Sequence, residues 1–288
     1  MKKTLIMLLA AVMLSACEKQ IVPLSDGDSY GNVVMTFAPT MQDTTRGDVA
    51  LSNWFTKLNV QLFDADGNKV FDRVKTQTSE DDDFGRMVLE LPEGRYTVVA
   101  VGHSSKNSAT IKSHETVQFT ASDGEKLTDT FCHCSTVDIG GDDAEFTLPM
   151  YRVGAMVQFV LTDSSVPDNF AYFVMEYTGG SANFNPTTMQ GITKSTQSER
   201  RVRNSVNIHQ AFTFPYMATS CSLKMTVTAT DADGTAIRQR VFDNVPVTRN
   251  RITTYTGHFF EEGDGEFTVS DFGFVVHADW DGEDHYEF

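Results

Sequence analysis

Positive charge is scarce in this chain of 288 residues: 23 Lys and Arg stand against 39 Asp and Glu, for a formal net charge of −16. A surface of that sign repels phosphate backbones, which excludes nucleic acid as a partner. Sustained apolar runs are missing beyond Leu5 to Leu14, and ten residues fall short of the roughly 20 that cross a bilayer as a helix. Histidine occurs only singly, at positions 103, 114, 133, 209, 258, 277 and 285, with no His-x-x-x-His pair and no Gly-x-Ser-x-Gly elbow. Phosphate loops and dinucleotide fingerprints are lacking too, and so is the strand–helix alternation that carries them. A catalytic centre needs a nucleophile beside a base, convergent metal ligands or paired carboxylates in a cleft. No residues are spaced for any of these, so no catalytic, cofactor-binding or metal residue is assigned and the chain is not read as an enzyme.

What is present begins at the N-terminus. Lys2 and Lys3 precede the apolar run, which ends in Leu14-Ser15-Ala16-Cys17. This is the form of a secretory signal over residues 1–16, and its last four positions resemble a bacterial lipobox, in which the cysteine thiol is acylated and becomes the new N-terminus. Cys17 is therefore the expected lipidation site, residues 17–30 the lipidated linker, and the outer membrane the expected location. Stable attachment takes more than one acyl chain, which lipoprotein processing supplies. Loss of the signal removes two lysines and no acids, leaving 21 basic against 39 acidic residues and a net charge of −18.

Cys132, Cys134 and Cys221 then remain, an odd number that permits at most one internal disulfide, between Cys221 and either of the others. Cys132-His133-Cys134 is a poor zinc site, because in a strand the two thiols face one way and the imidazole the other, and no second ligand pair follows. Acid clusters at 80–83, 142–143 and 261–266 read as solvated loops. None has the full spacing of an EF-hand, so no calcium site is assigned.

The body of the chain alternates. Leu58, Val60 and Leu62 stand against Asn59 and Gln61; Leu223, Met225, Val227 and Ala229 stand against Lys224, Thr226, Thr228 and Thr230. Both patterns predict half-buried strands. Further strands are predicted over 33–37, 87–91, 96–101, 153–161, 170–177, 252–260 and 272–276. Gly, Asp, Asn and Pro clusters separate them, which points to all-β antiparallel sandwiches. Asp64-Ala65-Asp66-Gly67 and Asp231-Ala232-Asp233-Gly234, each followed by a Pro-containing segment and a Gly-His pair, suggest an internal repeat. Chain length agrees with two domains, an N-terminal sandwich over 31–147 and a C-terminal one over 148–288. Trp54 and Trp280 are read as buried anchors at a sandwich edge in preference to sugar platforms.

Several segments together resemble the fimbrillin family of type V pili, which includes shaft, tip and anchor lipoproteins. They are the lipobox at Cys17, Gln61-Leu62-Phe63-Asp64, Gly94-Arg95-Tyr96-Thr97-Val98-Val99-Ala100, Arg152-Val153-Gly154-Ala155-Met156-Val157-Gln158-Phe159, and Val245-Pro246-Val247-Thr248-Arg249-Asn250-Arg251-Ile252-Thr253. The resemblance implies two tandem transthyretin-like sandwiches, export as a lipoprotein, a role in adhesion through a surface receptor, and assembly with other pilus subunits by donor-strand exchange. It also implies cleavage by an Arg-specific protease, for which Thr44-Thr45-Arg46-Gly47 matches the position. The alternative expectation is a surface lipoprotein that binds glycan for nutrient uptake, which requires an exposed aromatic platform.

Overall fold

The structure, a computed structural model, describes residues 20–21, 30–40, 50–120, 126–261 and 282–287. Their regular elements are twenty β-strands and one turn of 3-10 helix at Leu51–Asn53, as the all-β expectation requires. The first half contains β1 (Gln20–Ile21), β2 (Tyr30–Pro39), β3 (Lys57–Phe63), β4 (Lys75–Thr78), β5 (Arg86–Pro92), β6 (Gly94–His103), β7 (Thr110–Ser113), β8 (Thr116–Gln118), β9 (Thr130–Ile139) and β10 (Ala144–Arg152). The second contains β11 (Ala155–Leu161), β12 (Tyr172–Thr178), β13 (Asn183–Asn185), β14 (Gln190–Gly191), β15 (Gln197–Val202), β16 (Ile208–Thr213), β17 (Ser220–Thr230), β18 (Ala236–Thr248), β19 (Arg251–Gly257) and β20 (Gly282–Glu287). The predicted strand at 272–276 lies outside the described residues.

One pairing scheme occurs twice. In the first half β2 lies between β5, antiparallel, and β10, parallel, while β4, β3, β6 and β9 pair antiparallel in that order. In the second half β11 lies between β16, antiparallel, and β19, parallel, while β15, β12, β17 and β18 pair antiparallel in that order. In the first half β10 also pairs with β9, which joins these strands into one eight-stranded sheet, whereas the second half keeps two four-stranded sheets. Each half closes over its own apolar core. Val33, Met35, Leu58, Leu62, Leu89 and Phe131 belong to the first, and Phe159, Phe173, Met175, Val227, Phe242 and Tyr255 to the second.

The pairing scheme thus recurs, but not through the turns that suggested a repeat. Asp64-Ala65-Asp66-Gly67 follows β3, whereas Asp231-Ala232-Asp233-Gly234 joins β17 to β18, and β17 matches β6 in the pairing scheme. The two turns are nonetheless built alike. The Asp64 carboxylate accepts the Asp66 and Asn68 amides at 3.0 and 2.8 Å, that of Asp231 accepts the Asp233 and Thr235 amides at 3.0 and 2.8 Å, and Gly67 and Gly234 have φ of +82° and +86°. Such a turn is set by its own few residues and recurs wherever a tight reversal is needed.

The segments that interrupt the scheme join the halves. β7 and β8 of the first pair with β13 and β14 of the second in one small sheet, over a third cluster containing Phe63, Val101, Val117, Phe184 and Phe214. This layer covers the far side of β3, so Asn59 and Gln61, expected at the solvent face, are fully buried. Their polar groups stay paired there: Asn59 bonds to Thr76, His103 and the Ala109 amide, and Gln61 bonds to both backbone groups of Phe71. At the junction Arg152 makes a two-pronged bond to Asp129 at 2.8 Å and donates to the Asn250 side chain at 3.0 Å. Asn250 holds φ at 59°, a left-handed turn that Asn adopts more readily than most residues. Two segments far apart in sequence therefore meet in one clamp.

Candidate functional site

The feature with the clearest mechanical consequence is β2. It is a central strand, paired on both edges, with Val33 opposite Leu89 and Ala144 and Phe37 opposite Leu148. Alternation sends Val33, Met35 and Phe37 inward, at 0%, 0% and 3% exposure. Both ends are tied. Asn32 bonds through its amide and side chain to Asp143 at 3.0 and 2.7 Å, and Thr40 donates twice to the Met150 carbonyl. At Gly31 a side chain is excluded, since a Cβ would lie 2.3 Å from the Asp142 carbonyl oxygen. Arg46, the expected cleavage position, follows this strand by seven residues in sequence. Arg46 itself, Cys17 and Trp280 lie outside the described residues.

The other singled-out residues have structural partners. Cys132 and Cys134 face the third cluster, and burial raises both thiols above their ordinary range, so they stay protonated. His133 on the opposite face bonds to the Pro149 carbonyl and the Ser135 hydroxyl at 2.8 and 2.7 Å. Cys132, Cys134 and Cys221 are all unpaired. Trp54 packs its ring on the first core, edge-on to Phe131 at 6.0 Å, which matches an edge anchor. Sequence reasoning did not anticipate the grouping of Asp163, His258 and Glu261. Its oxygens are already engaged: Asp163 accepts the amides of Phe259, Phe260 and Glu261, and Glu261 accepts the amide and hydroxyl of Ser164.

Two histidines carry a measurable consequence. His103 is enclosed with Asn59 and the Ser105 amide, and burial, with Lys57 nearby, pushes its pKa down to about 3. His209 stacks on Phe173 at 4.6 Å, and burial lowers it to about 4. Both values lie below the ordinary 6.5, so the unfolded chain binds more protons in between. Stability from these neutral rings is complete above about pH 6.5 and declines as pH falls toward the folded values. Urea unfolding at about pH 4.5 against pH 7 should show a loss of ~2 kcal/mol per ring. His209→Phe should remove its share of that slope; an unchanged slope would refute the assignment.

A family model described as fimbrillin-A associated anchor proteins Mfa1 and Mfa2 matches residues 24–278. Among solved structures, the chain is similar to a candidate polysaccharide-binding protein from Bacteroides thetaiotaomicron, at 12% identity and TM-score 0.48, covering 74% of this chain and 80% of that one. A candidate adhesin from Bacteroides ovatus aligns at 15% identity and TM-score 0.47, covering 73% and 77%. The fimbrial anchor protein Mfa2 from Porphyromonas gingivalis aligns at 14% identity and TM-score 0.44, covering 73% and 82%. A search of curated proteins returns no match.

Proposed function

The chain belongs to the family of fimbrillin-A associated anchor proteins, and from that premise we propose that it is a lipid-anchored structural subunit of a surface fimbria that joins neighbouring subunits by strand exchange. Its coarse role, a fimbrial or adhesin subunit, follows from the family; the anchor and the exchange are the added claims. The observation that carries the exchange is β2, an N-terminal strand whose removal would vacate three buried apolar positions and two backbone edges at once. A partner's strand supplies both kinds of contact. Cleavage after Arg46 would free β2 together with the acylated Cys17 and so release a polymerising subunit from the membrane, whereas an anchor would keep both. The function in this reading is mechanical, with chemistry confined to acylation of Cys17 and to that cleavage.

The reading divides the chain into two sandwich units. The recurring pairing scheme supports the division, and β10 pairs with β2 through Met150, so the border is best drawn after Arg152. Attachment to the outer membrane rests on Cys17, so Cys17→Ala should remain in the periplasm, unacylated and soluble. Labelled palmitate and membrane fractionation test this. Unchanged label and membrane association in the variant would refute the lipid anchor while leaving the fimbrial role intact.

A further inference from the structure

Strand β15 is an edge strand, and its register with β12 fixes where its backbone points. Arg203 donates to the Ala171 carbonyl at 2.8 Å, so by alternation Arg201, Glu199 and Gln197 exchange backbone bonds with β12. Ser198, Arg200 and Val202 turn their N–H and C=O groups outward. Among the described residues no hydrogen bond reaches those groups. Neighbouring edges differ. On β16 the Gln210 and Phe212 carbonyls are taken by Arg201 and Tyr177. On β4, the matching edge of the first half, Gln77 reaches across to Asp83, Gly85 and Arg86.

A hollow of about 1070 Å³ lies against the bare edge, lined also by Ser104, Lys106 and Thr128 of the first half. Lys106, Arg200 and Arg201 line it and no carboxylate does, on a chain whose net charge is −16. Arg201 is committed to Glu199 and two carbonyls. Arg200 is held by stacking on Tyr172 at 3.7 Å, and among the described residues neither it nor Lys106 pairs with a carboxylate. His209 borders the hollow, 1% exposed, with neither ring nitrogen hydrogen-bonded. Val202 stands 69% exposed at the rim.

We propose that the β15 edge docks an extended acidic segment of a partner polypeptide, which adds as an outer strand. It sets a carboxylate against Arg200 and Lys106 and, two residues along, an apolar side chain against Val202. Backbone groups bared at every second residue match what another strand offers. Charge complementarity selects the acidic segment. A sugar fits less well, because Arg200 already covers a face of the Tyr172 ring. The site takes residues from both halves but none from β2, and does not depend on exchange there.

The test uses the mature full chain and a fluorescent peptide with two repeats of Glu-Thr-Val-Thr, which puts Glu and Val alternately on one face of a strand. Anisotropy should show salt-sensitive binding. Affinity should fall about tenfold or more when Gln replaces Glu in the peptide, and likewise in Arg200→Glu. Val202→Pro removes an outward N–H that the sandwich does not use, so it should abolish binding without moving the unfolding midpoint. If Arg200 only guards the edge against pairing, the peptide will not bind at all and the proposal fails. Equal affinity for the Gln peptide, undiminished binding in both variants, or binding of a uronic-acid tetrasaccharide alone overturns it as well.

Discussion

Protein cut after Arg46 and stripped of β2 should fail to persist as a folded monomer. Val33, Met35 and Phe37 are buried in the first core, and vacating three such positions exposes apolar surface worth about 5–9 kcal/mol. That is comparable to the whole stability of a typical domain, about 5–15 kcal/mol. Strands β5 and β10 would each lose their ladder to β2 at the same moment, and unpaired edges recruit other strands. Light scattering after limited digestion with an Arg-specific protease should therefore show association. A peptide spanning residues 28–41 added in excess should hold the cut protein as a monomer. Uncut Arg46→Ala should stay monomeric under the same treatment. A cut chain that loses β2 yet remains monomeric with its original melting temperature would remove the basis for strand exchange. A cut chain that retains β2 would favour an anchor that keeps its first strand.

Arg201→Met should destabilise the second half by about 3 kcal/mol at pH 7. The Glu199 side chain is fully buried, and its carboxylate lies 3.1 Å from the Arg201 guanidinium in an ion pair. Burial holds the Glu199 pKa above its ordinary value, with Arg201, the Leu127 and Lys126 amides and the Lys126 charge pulling the other way. Loss of the guanidinium raises it further, so the folded variant takes up a proton at a higher pH than the unfolded chain does. The penalty of a buried, uncompensated carboxylate is present above that raised pKa and disappears as pH falls through it. Denaturant unfolding should accordingly show a deficit that shrinks as pH falls toward the ordinary carboxylate range, opposite in sign to the histidine effect. Glu199→Gln should cost less, since the amide oxygen still accepts the Leu127 N–H. A deficit independent of pH would show that Arg201 acts through packing alone.

Much of the fold was legible because its strands bury apolar residues at every second position. Leu58, Val60 and Leu62, or Leu223, Met225 and Val227, carry that signal in full, and each lies on the strand it predicted. Strand β15 carries none of it. Its inward residues are Gln197, Glu199 and Arg201, so the pattern reads as a solvated charged segment until Lys126, Leu127 and Gln210 are brought against it. Strand β18 shows little alternation for a related reason: of its thirteen residues only Phe242, Val245 and Val247 are buried. The face that Asn59 and Gln61 occupy was misread because its cover comes from β7, β8 and the second half, which no local window contains.

The sequence by itself determined the all-β class, the strands with apolar alternation and the chemistry of the turns, because each depends on a period of two residues or on a few adjacent side chains. It also carried the family resemblance. The tertiary structure alone decided that the pairing scheme occurs twice out of step with the turns, that Arg152 and Asn250 meet across 98 positions, and which edges stay bare. Those outcomes depend on which strands become neighbours, and that is set by the balance of burial and backbone pairing over the whole chain.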